Sequence, residues 1–111
     1  MTDLDSYVLA LLRKRVGTDR AISVDKLAAE ASVFYGNAIN EREVRQIVHD
    51  LRFSGQPICS GPSGFYWPDT LQDVLDCADH EFRPAARSML LTARKLRQAG
   101  KALFGGQGRL L

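Results

Sequence analysis

Apolar residues in this chain recur mostly three and four apart, the spacing of one helical face, and breaks in that rhythm divide it into segments. Leu4, Tyr7, Val8, Leu11 and Leu12 make the first stripe, behind a cap at Thr2 or Asp3. Arg13, Lys14 and Arg15 complement the C-terminal end of that helix, and Gly17 ends it. The polar Thr18, Asp19 and Arg20 follow, then a short apolar step of Ala21 and Ile22. Ser23 caps a second helix with Leu27, Ala28 and Ala31 on one face. The run SVFYGNAIN (32–40) is too rich in glycine and asparagine to continue it. Asn40 opens a third helix, with Glu43 where a capping box needs it and Val44, Ile47, Val48 and Leu51 as the apolar stripe. Gly55 stops that helix.

The period then changes. Pro57–Ser60 and Phe65–Trp67 are short β-prone runs around Gly61-Pro62-Ser63-Gly64, which predicts a hairpin. Asp69 or Thr70 caps a last helix, reinforced by Asp73. Leu71, Leu75, Ala78, Phe82, Ala85, Met89, Thr92, Leu96, Ala99 and Leu103 follow in alternating steps of four and three. A continuous helix there would be roughly 50 Å long, but Pro84 removes a backbone hydrogen bond and predicts a kink or break near Glu81. Leu71, Leu75 and Phe82 are expected to pack on the chain's own core. Met89, Leu96 and Leu103 are expected to form a seam for a partner helix, most simply that of a second copy. The expected fold class is mainly α with a small β-hairpin. It has three parts: a domain over 1–68, a helical extension over 69–104 and a tail over 105–111.

Composition narrows the function classes. Hydrophobic residues at 45% and charged residues at 25% of 111 suit an ordinary globular domain. No apolar run approaches the ~18 residues of a membrane span, and the opening residues lack the basic and apolar parts of a secretory signal. A cytoplasmic protein with no membrane partner is the expectation. The net charge of +2 hides an uneven distribution. Residues 1–68 balance eight bases against eight acids, residues 69–81 carry five acids and no base, and residues 82–111 carry seven bases and no acid. Such asymmetry marks an electrostatic interaction surface.

Catalytic chemistry has no constellation here. Ser63 lacks the strand-to-helix elbow of a hydrolase nucleophile, and neither His49 nor His80 has a nucleophile to activate. Cys59, Cys77, His49 and His80 would number four soft ligands, but no CxxC or HxxxH pair nucleates a zinc site. The cysteines are expected to be buried small hydrophobes. No enzyme activity, cofactor or metal is expected.

Helix, short strand, helix, helix, hairpin is the order of a winged helix-turn-helix. The run VRQIVHDLRFSGQPICSGPSGFYW (44–67) resembles the recognition helix and wing of bacterial and phage winged-helix proteins. Leu51, Arg52, Gly55, Ile58, Gly64, Phe65 and Tyr66 match their step from helix to wing, and the resemblance extends over about 4–68. It implies binding of double-stranded DNA, with the helix at 40–54 in the major groove and the wing on the backbone or minor groove. One departure is the turn between the two motif helices, about eight residues where three or four are usual. Phe34 and Tyr35 are expected to anchor that loop in the core.

The residues themselves support such a role. With the apolar stripe buried, Arg42, Arg45, Gln46, His49 and Arg52 face outward, side chains suited to guanine, adenine or phosphate. Arg52 is best placed for a phosphate. Ser60 and Ser63 on the wing are phosphate donors, although no Lys or Arg stands at its tip. Arg94, Lys95 and Arg97 on the C-terminal helix can supply the missing positive charge. The tail QGRLL loosely resembles the motif by which bacterial replication proteins dock on the sliding clamp, through Gln107, Leu110 and Leu111. The expected function is a small DNA-binding protein of transcription regulation or replication, dimeric through its C-terminal helix. The alternative is an adaptor whose winged helix and C-terminal helix bind another protein.

Overall fold

The computed structural model describes residues 1–105 and is mainly helical, with a small two-stranded antiparallel sheet and a long C-terminal helix. Helix α1 spans Asp3–Arg13. Thr2 starts it: its hydroxyl accepts the Asp5 N–H while the Asp5 carboxylate accepts the Thr2 N–H, both at 3.1 Å. The helix ends at Arg13, earlier than Gly17, because Arg15 and Gly17 are drawn into extended pairing: the Trp67 N–H donates to Arg15 O (2.7 Å) and the Gly17 N–H to Trp67 O (3.0 Å).

Helix α2 spans Val24–Tyr35, four residues longer than its composition suggests. Ser32 does not break it because its hydroxyl donates to the Ala28 carbonyl one turn back, at 2.7 Å. The stop is Gly36, left-handed at φ 79°, a conformation that favours glycine. The connection to α3 is therefore only residues 36–40, not the longer loop expected. Ile39, buried at 8% exposure, anchors it, and its N–H donates to Ser32 Oγ at 2.8 Å. Phe34 and Tyr35 stay about half exposed, and Phe34 stacks on Tyr7 with ring centroids 4.2 Å apart. Those aromatics do not anchor the loop.

Helix α3 spans Glu41–Phe53, capped by Asn40, whose side chain accepts the Glu43 N–H at 2.8 Å. Val8, Leu12, Leu27, Ala31, Val44 and Val48 are almost fully buried where the three helices meet, joined by Leu9, Ile22, Ala28, Leu51 and Ile58. Strands β1 (Cys59–Gly61) and β2 (Gly64–Tyr66) pair with Ser60 opposite Phe65. On its other edge β2 exchanges both backbone hydrogen bonds between Phe65 and Ile22, each 2.8 Å. That close approach explains Gly64: φ is 120°, and a Cβ there would run into the Ile22 carbonyl.

Helix α4 spans Leu71–Cys77 and packs against β1 through a second small cluster of Cys59, Tyr66 and Cys77, bordered by Ala21 and Val74. Both cysteines are buried and unbridged, as their apolar character predicts. The seam expected to face the core does not. Leu71 is 73% exposed and Leu75 48%, because α4 turns the neighbouring stripe of Val74 and Cys77 inward, and Phe82, which lies beyond α4, is 47% exposed. The chain divides into two compact units after Cys77. The second unit opens with a π-helical turn, Ala78–Phe82, and continues as helix α5, Arg83–Phe104, with Pro84 in its first turn, where a missing N–H costs nothing. Neither a break nor a free loop precedes Pro84: the α-helical pattern gives way to the π turn at Ala78–Phe82 and the backbone stays helical through it.

Candidate nucleic-acid interface

Helix α3 buries Val44, Val48 and Leu51, which at 100° per residue turns Arg42, Gln46 and His49 directly outward. Arg45 and Arg52 lie on one flank of that polar face, Glu43 and Asp50 on the other. The hairpin stands on the arginine side. Arg52 holds it there: Nε donates to Ile58 O at 2.8 Å and Nη2 to Ser60 Oγ at 3.2 Å, with the guanidinium 5.8 Å from the Phe65 ring. Arg52 and Ser60 therefore serve each other, and the phosphate contact expected of Arg52 gives way to a clamp between helix and hairpin.

The other outward residues differ in what they hold. Gln46 Nε2 donates to Asp50 Oδ1 at 2.9 Å, and His49 Nδ1 lies 3.4 Å from the same oxygen while its ring leans on Phe53. Both are tied to a carboxylate. Arg42 and Arg45 are exposed, and their side chains make no hydrogen bond or ion pair among the described residues. Arg45 borders a shallow groove between the start of α2 (Ser23 and Val24) and the hairpin, whose Ser60, Ser63 and Phe65 line the other wall. Ser63 is exposed at the tip. The start of α2 forms one wall of this groove, a contribution the sequence pattern does not reveal because it depends on tertiary approach. Asp25 follows there; the Ser23 hydroxyl donates to it and holds its carboxyl below the ordinary range.

Behind the hairpin, Cys77 Sγ accepts the Ser60 N–H at 3.3 Å. Burial, with Cys77 and Asp73 alongside, pushes the Cys59 thiol up to about 12. It is a packed neutral group, without the thiolate character of a nucleophile or metal ligand. Among the described residues no cluster of His, Cys, Asp and Glu is placed to hold a metal.

Helix α5 is a separate charged element. Arg94, Lys95 and Arg97 are exposed and unpaired among the described residues, whereas Arg83 meets Asp79 at 3.2 Å. Its opposite arc carries Met89, Leu96 and Leu103, each 73% exposed, with Phe104 towards its edge. Leu90, also exposed, lies instead among the cations, one turn before Arg94 and two before Arg97. Gln107, Leu110 and Leu111 lie outside the described residues. Among the described residues no helix is long and apolar enough to cross a membrane. No family model matches the chain, and neither a curated protein nor a solved structure is similar to it.

Proposed function

We propose that the protein is a non-enzymatic winged-helix DNA-binding protein, acting in transcription regulation or DNA replication, with α3 as the helix that enters the major groove. The observation that carries this reading is the Arg52 clamp. It fixes a hairpin beside the polar face of α3, on the flank where Arg45 stands without a partner. An isolated bridge from Ile22 to Phe65 on the far side of β2 ties the hairpin to the segment before α2. The five-residue connection between α2 and α3 is close to the short turn of a helix-turn-helix.

The hairpin tip carries no cation, so α3 and the wing alone neutralise few phosphates. Arg94, Lys95 and Arg97 on α5 supply what the wing lacks, and binding should fall steeply with salt. The apolar arc of α5, with Met89, Leu96 and Leu103, is free for a partner helix, in the simplest case that of a second copy. Gln107, Leu110 and Leu111 would dock on a sliding clamp in a replication role. A mobility-shift titration on random duplex tests the main reading: a shift at low salt that weakens sharply as salt rises is expected, and no shift at low salt overturns it.

The exposed arc of α5 favours a second reading, an adaptor whose winged helix and α5 bind another protein. That reading predicts no salt-sensitive duplex binding.

A further inference from the structure

We infer that the protein reads a two-base-pair step carrying a guanine on each pair, through Arg42 and Arg45. This inference rests on the DNA-binding reading and deepens it by naming the sequence recognised. It follows from which donors on α3 are already engaged. The Gln46 amide, the group suited to adenine, donates to Asp50. His49 is held between Asp50 and the Phe53 ring. Arg52 points its guanidinium into the hairpin. Among those five, Arg42 and Arg45 are the two whose side chains make no hydrogen bond or ion pair with the described residues, so neither has a partner to give up before it turns to a base.

A guanidinium meets guanine by two parallel N–H donors to O6 and N7, a pairing the other bases do not offer on the major-groove edge. Arg42 and Arg45 are three residues apart, so their Cα atoms are separated by about 4.5 Å along the helix axis. Successive bases on one strand rise by about 3.4 Å. Residues spaced by three on a recognition helix therefore reach neighbouring base pairs, not distant ones. Both arginines sit in the N-terminal half of α3, the part that goes deepest into the groove. Glu43 lies on the opposite flank, away from the hairpin, and its carboxylate disfavours approach of phosphate from that side. The reading register is thereby tied to the hairpin side.

The test is selection from a random duplex pool with the full chain, followed by titration of a selected duplex in which one guanine at a time is replaced by 7-deazaguanine. That analogue removes the N7 acceptor and leaves Watson–Crick pairing in place. Selected sequences should share two adjacent base pairs each carrying guanine. Either 7-deaza replacement, which removes one of the two acceptors of a bidentate pair, should weaken binding by roughly 2- to 12-fold. Arg42→Ala should remove the preference at one of the two pairs and Arg45→Ala at the other, with affinity for random duplex changed far less. Circular dichroism of both variants matching the parent excludes a folding defect as the cause. Duplex binding with no guanine enrichment, or with affinity indifferent to 7-deazaguanine, overturns the inference and leaves the DNA-binding reading standing. Absence of any duplex binding overturns both.

Discussion

The first unit and helix α5 use similar proportions of apolar side chains to opposite ends. In Met1–Cys77 the leucines, valines and isoleucines of three helices converge, so that Val8, Leu12, Leu27, Val44 and Val48 lose essentially all contact with water. In α5 no residue is buried, and Leu90, Leu96 and Leu103 are each more than two-thirds exposed. Apolar periodicity alone does not make a core; a second and third stripe must meet the first. The first unit is a folded scaffold that orients a few polar groups, and α5 is an amphipathic helix with its apolar arc unfilled.

Substitutions sharpen that contrast. The largest effect is expected at Leu12, where truncation to Ala leaves a cavity among three helices and should cost about 2–5 kcal/mol in urea unfolding. Gly64→Ala follows. The positive φ and the Ile22 carbonyl in its path should cost about 2–3 kcal/mol and loosen the hairpin, visible as faster amide exchange at Phe65. Arg52→Lys keeps the charge but loses the forked donation to Ile58 O and Ser60. About 1–2 kcal/mol should be lost, with α3 itself unchanged by circular dichroism. At the bottom of the scale, Leu96→Ala should move the unfolding free energy of a dilute sample by less than about 0.5 kcal/mol. A loss above 2 kcal/mol there would erase the distinction between the two regions.

Much of the scaffold was legible in the residues, for reasons that are local. Caps at Thr2 and Asn40, the turn at Gly61–Gly64, and the stripe of Val44, Val48 and Leu51 each depend on neighbours within a few positions. Pro84 likewise marked the start of α5. What escaped depends on tertiary approach. The run 32–40 looked too rich in glycine and asparagine to be helical, yet α2 continues to Tyr35 before Gly36 stops it, and Ile39, not Phe34 or Tyr35, proved the loop's anchor. Leu71 and Leu75 carried the regular four-three spacing, but α4 is only two turns long, and its packing on β1 selects the adjacent stripe of Val74 and Cys77. At the candidate interface, residue type picked out Arg42, Arg45, Gln46 and His49, which are exposed, and Arg52, which is half-buried against the hairpin. It did not separate Arg42 and Arg45 from Gln46, His49 and Arg52, because the latter three are set apart by hydrogen bonds and a clamp across to the hairpin. Charge partition along the chain singled out α5 correctly as an unbroken cationic segment after its Arg83–Asp79 pair.

The DNA-binding proposal divides the labour between α3, assigned to the bases, and α5, assigned to the phosphate backbone. Its most direct test is the slope of log affinity against log salt for the full chain, measured beside Arg94→Ala/Lys95→Ala/Arg97→Ala and Arg42→Ala/Arg45→Ala variants on the same selected duplex. The account predicts that the triple variant lowers the magnitude of the slope by about 3 while keeping the sequence preference, and that the double variant keeps most of the slope while losing the preference. An unchanged slope in the triple variant, or a sequence preference that survives the double one, would contradict it.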